Sequence, residues 1–458
     1  MFFIKNLRPN FKILKIILLI FVFEISCSEN KTYDKKLAID ITAKNNSLSP
    51  DKSLEAMPIN IPKAQNNKIW LGSSSKLNQT IENIEKKFEY KNFGWFFAKK
   101  NQINLQRKWY KNLFYYEDFS NSFVYSPIIF NGAIFQMDSS GDLTAIDLKT
   151  KNTLWHRRIF EKLWLKNYKV AHLGACLDKL FAVAGVNQVK AVSQIDGNIL
   201  WSKDLSVVFN STPICDDNNV YLTSIDNKTF ALNANTGEIN WIHMGIGKSL
   251  AIFGNAQTVV AGNKLIISHS SGEIYALNKN SGEVFWQNDL NQNNNSSGVL
   301  TDIDATPIVK NNVVYAIGYG GKMKAMSLEN GKEIWQKPIT SLTDFWIAGD
   351  FIYAINDDNQ LMAIFQKTGA IKWLTQLPKY QHPKKITSKY NYLGVLMVDA
   401  KLMILRSDGE LLIASPFDGS IEKNYALNKR ILHLPIIIDN KIYFYGMSRF
   451  KTKLIEIE

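Results

Sequence analysis

Cysteine is scarce in this sequence: its 458 residues include three, and no two of them are adjacent. A scaffold held together by disulfides is therefore excluded, because such folds need many cysteines in a short chain. Cys176 and Cys215 occupy nearly the same position in successive copies of a repeat described below. A disulfide needs Cα atoms within about 7 Å, which neighbouring repeats need not provide, so we expect two buried free thiols.

Long hydrophobic runs are also missing from the N terminus. The apolar run there, from Ile16 to Phe23, is eight residues long and too short to span a bilayer. Basic residues precede it, and residues 1–27 are typical of a secretory signal peptide. Ser26 before Cys27 resembles the bacterial lipobox, although Glu24 stands where an apolar residue is usual. We predict lipidation of Cys27 and sorting to the outer membrane; an ordinary cleaved signal or an uncleaved anchor are the alternatives.

A charge excess of one sign is missing from most of the chain. The formal net charge is +13, but from residue 112 onward 34 basic residues are matched by 32 acidic ones. A nucleic-acid-binding domain would carry a basic surface along its phosphate contacts. We therefore expect no nucleic-acid partner.

Catalytic motifs are absent as well. The sequence has no G-x-S-x-G elbow, no H-E-x-x-H helix and no C-x-x-C-H haem site, and its six histidines lack metal-ligand spacing. The segment GIGKS at Gly245 lacks the first glycine of a phosphate-binding loop, because Ile242 stands there. We predict no catalytic residue, no metal site and no cofactor.

One pattern fills the chain from about residue 122 onward: two short apolar strands joined by a turn, then a segment such as ANTGEINW, residues 234–241. Apolar stretches alternate with Gly, Asn, Asp and Ser clusters, which is typical of hairpins in an all-β repeat. Eight copies of the hairpin occur, and successive motif tryptophans lie 38 to 49 residues apart. This period predicts an all-β fold, an eight-bladed β-propeller. The motif tryptophans are Trp155, Trp201, Trp241, Trp286, Trp335 and Trp373.

An Ala, a Gly and a Trp recur at fixed offsets, as Ala231, Gly237 and Trp241 do in the third copy. Gly supplies the positive φ of a tight turn between the third and fourth strands, Ala is small where sheets pack, and Trp covers the next blade. Lys151 takes the Gly position in the first copy, and Lys423 takes the Trp position in the seventh. We expect those two joints to be looser.

The eighth hairpin ends at Glu458 without a fourth strand or a tryptophan. Upstream, Trp109 lies 46 residues before Trp155, at the spacing of the repeat. We therefore predict that a strand around Trp109 completes the last blade and closes the ring, which removes exposed sheet edges. The propeller then covers residues 103–458.

Two segments lie between the signal and the propeller. Residues 28–64 are polar and have no sustained period, so we predict a disordered tether. Residues 65–102 form a lead-in that we expect to pack on the propeller. Within it Ile81, Ile84 and Phe88 have helical spacing, although an irregular packed segment is the alternative.

The Ala, Gly and Trp joint resembles the repeat of PQQ-type propellers, which include quinoprotein dehydrogenases and proteins that bind no quinone. Within this group the sequence is most similar to the BamB family, lipoproteins of the outer-membrane β-barrel assembly machinery. The similarity covers the propeller and is strongest over residues 300–335 and 343–364. The segments INIPKAQNNKIW and INLQRKW are similar to the lead-in of α-proteobacterial members.

This resemblance implies a non-catalytic scaffold, anchored by lipid in the outer membrane and facing the periplasm. It implies docking on periplasmic POTRA domains of BamA, with Leu250 and Ile252 as apolar contacts and Asp302 and Asp304 as polar contacts. Phe253 stands where many relatives carry Arg, so an apolar contact is expected there. It also makes unfolded outer-membrane proteins candidate partners. Without the resemblance, the same residues would be read as strand and turn positions.

The enzymatic alternative is a periplasmic PQQ-dependent quinoprotein dehydrogenase. The resemblance to that group implies a catalytic carboxylate, a bound Ca²⁺ and, in many members, a vicinal cysteine pair. The sequence contains no Cys-Cys step. This favours the scaffold.

Overall fold

The computed structural model describes residues 48–71, 81–86, 107–115, 127–137, 141–161, 171–184, 187–209, 211–216, 218–246, 256–291, 302–381, 388–427, 429–431, 433–448 and 451–457. For residues 107–115 the description covers the backbone. Residues 49–458 form one compact unit. In the described part of the chain, no helix has both the length and the apolar character needed to cross a membrane.

Eight antiparallel sheets follow one another along this unit, which is the predicted eight-bladed propeller. The first strand, β1 (Arg107–Tyr115), belongs to the last blade. Blade one contains β2 (Ile128–Phe130), β3 (Ala133–Met137), β4 (Asp142–Asp147) and β5 (Thr153–Arg158). Blade two contains β6 (Ala171–Cys176), β7 (Lys179–Ala184), β8 (Gln188–Ser193) and β9 (Ile199–Asp204). Blade three contains β10 (Ile214–Cys215), β11 (Asn219–Thr223), β12 (Lys228–Asn233) and β13 (Ile239–Met244). Blade four contains β14 (Val259–Ala261), β15 (Lys264–Ser268), β16 (Glu273–Asn278) and β17 (Val284–Asp289).

The second half repeats this arrangement. Blade five contains β18 (Ile308–Lys310), β19 (Val313–Ile317), β20 (Met323–Ser327) and β21 (Glu333–Lys337). Blade six contains β22 (Trp346–Ala348), β23 (Phe351–Ile355), β24 (Gln360–Phe365) and β25 (Ile371–Gln376). Blade seven contains β26 (Tyr392–Val398), β27 (Lys401–Arg406), β28 (Glu410–Ala414) and β29 (Ile421–Ala426). Blade eight contains β30 (Arg430–Ile431), β31 (Ile436–Ile438), β32 (Lys441–Ser448) and β33 (Lys451–Ile457).

Strand direction gives the ring two ends. Turns between the first and second strands and between the third and fourth strands lie at one end, which we call the Gly-turn end. Turns between the second and third strands, and the connections from blade to blade, lie at the other, which we call the connection end. This follows because every neighbouring pair within a blade is antiparallel.

The predicted ring closure is confirmed. Strand β1 pairs antiparallel with β33 along its length, from Arg107 opposite Ile457 to Tyr115 opposite Lys451. Trp109 lies opposite Glu456 in this ladder. The earliest strand of the ring therefore becomes the outermost strand of the last blade, and the two ends of the ring are joined by backbone hydrogen bonds.

Register explains why Ala and Trp recur together. In blade three Ala231 lies directly opposite Trp241, while the next pair is Leu232 opposite Ile239, so Asn240 is the extra residue of a β-bulge. The same shift recurs in blades one to seven. A small Ala leaves room for the large ring beside it, and the bulge aims that ring at the next blade.

The six motif tryptophans join consecutive blades. Each donates its indole Nε1–H to a main-chain carbonyl of the following blade, for example Trp201 to Ala234 at 3.1 Å and Trp335 to Gln366 at 2.7 Å. Each ring also lies against the turn glycine of that blade, as Trp201 does against Gly237, whose φ is +75°. The prediction that Trp covers the next blade and Gly makes the turn is confirmed.

The two exceptional joints differ from this scheme. Lys151 adopts the positive φ of the missing glycine, +65°, and its Nζ pairs with Glu456 of blade eight at 2.6 Å. Lys441 also pairs with Glu456, at 3.0 Å, and the Glu456 side chain is 4% exposed. A buried ion pair thus connects blades eight and one. Lys423 lies opposite Ile413, at the position that Trp occupies elsewhere. That these joints are looser stays a prediction.

The expectation of free thiols was wrong, because Cys176 and Cys215 form a disulfide. Cys176 ends β6 and Cys215 ends β10, the innermost strands of blades two and three. Innermost strands of neighbouring blades converge toward the ring axis, and here the two Cα atoms lie 6.2 Å apart. Equivalent residues of successive repeats are therefore close together when they lie on the innermost strands, near the ring axis. The disulfide links blades two and three.

The predicted tether extended too far along the chain. Residues 48–64 are ordered against the ring: a short 3-10 helix spans Lys52–Leu54, Asp51 N–H donates to the Ile371 carbonyl, and the Lys372 ammonium donates to the Leu54 carbonyl. Polar composition misled the prediction, because these contacts use backbone groups that any sequence carries. The tether prediction for residues 28–47 concerns residues outside those described.

We call residues 48–71 and 81–86 the N-terminal strap. The strap runs across blades at the Gly-turn end: Trp70 exchanges two backbone hydrogen bonds with Ile129 of blade one, and Ile84 bonds to Met397 and Asp399 of blade seven. Residues 81–86 are not helical, so the helical alternative for Ile81 and Ile84 is wrong, and Phe88 lies outside the described residues. The described residues of the lead-in, 65–71 and 81–86, contact the propeller, and the packing of the whole lead-in stays a prediction.

Candidate functional site

The candidate site lies at the connection end of blades three, four and five. Asp302 and Asp304 belong to the connection from β17 to β18. Leu250, Ile252 and Phe253, the predicted apolar contacts, belong to the connection from β13 to β14 and lie outside the described residues, as does the predicted lipidation site Cys27. Because connections between blades lie at the connection end, Asp302 and Asp304 belong to that end of the ring.

Asp302 is fixed mainly by its backbone. Its N–H donates to the Tyr319 carbonyl at 3.2 Å, and the Tyr319 N–H donates back at 2.8 Å, forming an isolated antiparallel bridge to blade five. Its side chain is 3% exposed. These bonds support the interpretation that Asp302 holds a turn. A partner could contact its carboxylate only if the residues that cover it moved away.

Asp304 is the chemically unusual residue of the pair. Its Oδ1 atom is buried and has no hydrogen-bond partner among the described residues. Burial, together with the nearby Asp302 and Asp344 carboxylates, raises the pKa of Asp304 from 3.8 to about 8. Asp344 is held in place by the Thr306 N–H, which donates to its Oδ1 at 2.8 Å. Three carboxylates from two successive connections thus form one acidic group.

A small polar cavity opens beside this group. It is lined by Thr223 and Asn227 of blade three, Ala256, Ser268 and Ser270 of blade four, and Asp302, Ile303 and Asp304. The cavity has room for about one water molecule. The described residues contain no group of three or more potential ligands with metal-binding geometry. The unpartnered Asp304 Oδ1 can accept a hydrogen bond from a donor that reaches this cavity.

A histidine pair lies between blades three and four. His243 of β13 and His269 stack with ring centroids 6.0 Å apart, and Tyr275 packs against both. The Tyr275 hydroxyl donates to Glu273 Oε2 at 3.0 Å. Burial lowers the pKa of both imidazoles, that of His269 to about 3. Both rings are therefore neutral at physiological pH.

Sequence reasoning missed this pair and the third carboxylate. One signal was present: His243 lies two residues after Trp241, so both point from β13 toward blade four. His269 and Asp344 could be identified only from the structure, because the fold brings them close to His243 and Asp304 from other blades.

Replacement of Asp304 by Asn should stabilise the protein at neutral pH. Between about pH 4 and pH 8 the folded state binds a proton at Asp304 that the unfolded state releases, so the native group costs stability as pH rises. We expect Asp304→Asn to gain on the order of 2 kcal/mol at pH 8 and almost nothing at pH 3.5, since one pKa unit corresponds to about 1.4 kcal/mol and partial exposure reduces the effect. Denaturant unfolding at the two pH values measures the difference, and an equal change at both would contradict it. Asp350→Asn, at an exposed carboxyl in the turn between β22 and β23, is the control and should change stability little.

Comparison with known proteins identifies one family. The family model described as "Outer membrane protein assembly factor BamB" matches residues 139–375. The chain is similar to the protein of that name from Yersinia pestis, with 24% identity over 327 residues, 69% of this chain and 80% of the relative.

Two solved structures share the fold. The crystal structure of BamB from Moraxella catarrhalis has a TM-score of 0.60 at 15% identity, covering 76% of this chain and 96% of that one. The quinohemoprotein alcohol dehydrogenase from Comamonas testosteroni also has a TM-score of 0.60, at 11% identity, covering 86% and 81%. Because the family model matches just over half of the residues of this chain, the chain belongs to the family of the outer membrane protein assembly factor BamB.

Proposed function

We propose that this protein is a non-catalytic scaffold of the machinery that assembles β-barrel proteins in the outer membrane. The observation that carries the proposal is the family match over residues 139–375, which runs from β4 of blade one to β25 of blade six. The likeness to a dehydrogenase extends to the fold alone, because identity is 11%.

The docking partner is a BamA-like barrel protein, contacted through its periplasmic POTRA domains. The contact surface is the connection end of blades three to five, with Leu250, Ile252 and Phe253 as apolar contacts beside Asp302 and Asp304. The unpartnered Oδ1 of Asp304, beside Asp302 and Asp344, supports this choice, since a cationic side chain of the partner would pair with that oxygen and favour the ionised carboxylate. Asp304 is the direct contact in this arrangement, while Asp302 holds the connection against Tyr319.

The N-terminal strap leaves the proposed docking surface open. It covers blades six, seven, eight and one at the Gly-turn end, which is the end opposite to the connection end.

Docking is tested by copurification from crosslinked envelopes. We expect Leu250→Ala combined with Asp304→Ala to abolish recovery of the barrel partner while the thermal melt stays cooperative. Asp418→Ala, an exposed carboxylate in a Gly-turn, is the control and should leave recovery unchanged. Unchanged recovery with the double variant would remove this surface from the proposal, and quinone-dependent dye reduction by the pure protein would favour the dehydrogenase instead.

A further inference from the structure

The first strand of blade three has little backbone pairing of its own. β10 has two residues, whereas the first strands of blades one, two, four, five, six and seven have three to seven. Two residue pairs join β10 to β11, Ile214 with Tyr221 and Cys215 with Val220. Because so short a ladder forms few hydrogen bonds, contacts outside it have a larger share in holding β10.

Blade two supplies such contacts. A Cβ atom at Gly174 of β6 would lie 2.1 Å from the Pro213 carbonyl oxygen, so the two backbones meet with no side chain between them. Toward the Gly-turn end of the same two strands, the disulfide joins Cys176 to Cys215. β6 itself pairs with β7 over six residues. A covalent bond thus fastens the two-residue strand of blade three to a well-paired strand of blade two.

The disulfide lies where a redox partner can approach it. Cys176 and Cys215 are partly buried, and they pack against the apolar cluster that contains Phe181 and Val220. Cys176 is followed by the exposed residue Leu177, in the turn at the Gly-turn end. Thiol–disulfide exchange proceeds by direct attack of a thiolate on a sulfur, so it needs this kind of access.

β10 is also connected to the candidate site. Just before it, the Thr223 N–H donates to Ser211 Oγ at 2.7 Å, and the Ser211 hydroxyl donates to the Thr223 carbonyl at 3.2 Å. Thr223 lines the polar cavity beside Asp304. Residues 211–215 therefore run from the cavity wall at the connection end to the disulfide at the Gly-turn end.

We propose that the Cys176–Cys215 disulfide is a redox-dependent brace, which holds β10 and, through Ser211, the cavity wall at Thr223. In the reduced protein β10 relies on its two-pair ladder and opens more often. The brace forms by exchange with a disulfide oxidant, either a protein or a small molecule. Two S–H bonds break and one S–S bond forms, while the oxidant takes up two electrons and two protons and leaves as two thiols.

A reducing compartment keeps cysteines as thiols, so the brace forms only where the chain meets an oxidising environment. The inference goes beyond the proposed function and does not depend on it, because it concerns the integrity of blade three in the isolated protein.

The test uses the full chain carrying Cys27→Ser, in which Cys176 and Cys215 are the two remaining cysteines. Amide hydrogen exchange is measured by mass spectrometry before and after reduction with dithiothreitol, and alkylation counts the free thiols in each state. We expect residues 211–223 to exchange at least about tenfold faster after reduction, and residues 346–355 of blade six to change less than about twofold. Oxidised glutathione should restore slow exchange as the two thiols disappear.

Cys176→Ser combined with Cys215→Ser is the matched variant, and it should exchange like the reduced chain whether or not dithiothreitol is present. Unchanged exchange over residues 211–223 after reduction would overturn the inference, since the ladder would then hold β10 by itself. Equal acceleration in blade six would overturn it as well, because the disulfide would then act on the whole ring by restricting the unfolded chain. Fast exchange in the variant but not in the reduced chain would assign the effect to the serine side chains and not to the lost bond.

Discussion

Deletion of residues 103–113 should abolish the cooperative melt of the whole propeller. The deletion removes most of β1, whose backbone pairs with β33 from Arg107 opposite Ile457 to Tyr115 opposite Lys451. Without it, β33 becomes an open edge, and blades eight and one stay joined by weaker contacts such as the ion pair of Lys151 with Glu456 and the backbone hydrogen bonds of the N-terminal strap. We expect a loss of at least about 5 kcal/mol, comparable with the total stability of many domains. Circular dichroism and calorimetric melts measure it.

A deletion of the same length over residues 31–41, within the proposed tether, is the control and should leave the melt unchanged. A synthetic peptide of residues 103–115 added to the shortened chain should restore cooperative unfolding, because a separate peptide can form the same backbone hydrogen bonds to β33. If the shortened chain melts as cooperatively as the full chain, closure by β1 does not hold the ring together.

The ring and its closure were predictable because both follow from counting. Eight hairpins with seven complete fourth strands leave one strand missing, and Trp109 lies at the repeat spacing before Trp155. The joint was predictable because its chemistry is local: a turn needs positive φ, and a large ring needs a small neighbour. Such local requirements keep the Ala, the Gly and the Trp at fixed offsets in the repeat, where the sequence alone reveals them.

The disulfide was not predictable by the same reasoning. Spacing along the chain shows that Cys176 and Cys215 are equivalent, but the distance between equivalent positions depends on their radius from the ring axis. On the innermost strands it is 6.2 Å between Cα atoms. A sequence repeat gives the spacing of equivalent residues along the chain but not their distance from the ring axis. The pairing of the two cysteines therefore became visible only in the structure.

The candidate site was predicted in part. Asp302 and Asp304 were identified through family resemblance, and the structure adds that one is buried in a bridge to Tyr319 while the other has an unpartnered oxygen. Asp344 joins them from the next connection, 40 residues away along the chain, and no local pattern marks it. Burial, together with the two neighbouring carboxylates, raises the pKa of Asp304, which composition could not show.

Substitution of Gly282 by Ala should destabilise the protein far more than the same substitution at Gly262, in the same blade. Both glycines have positive φ, +75° and +64°. A methyl group at Gly262 would meet no atom within 4 Å, whereas at Gly282 it would lie 2.6 Å from Cδ2 of Trp241 in blade three. We expect Gly262→Ala to cost about 1 kcal/mol, the usual strain of a side chain in the left-handed region. Gly282→Ala should cost about 4 kcal/mol, because Trp241 must also leave its position.

A double-mutant cycle separates strain from packing. Trp241→Ala alone removes the ring and should cost about 3 to 5 kcal/mol. In that background Gly282→Ala should cost only about 1 kcal/mol, since the atoms it would displace are gone, giving a coupling energy of about 3 kcal/mol. Denaturant unfolding of the four proteins measures this value. If the two substitutions have additive effects, Gly282 is needed only for the conformation of its own turn and the Trp241 ring can move aside. Strong coupling would show that the glycine of one blade is required by the tryptophan of the blade before it, and this requirement explains why the two residues recur together along the chain.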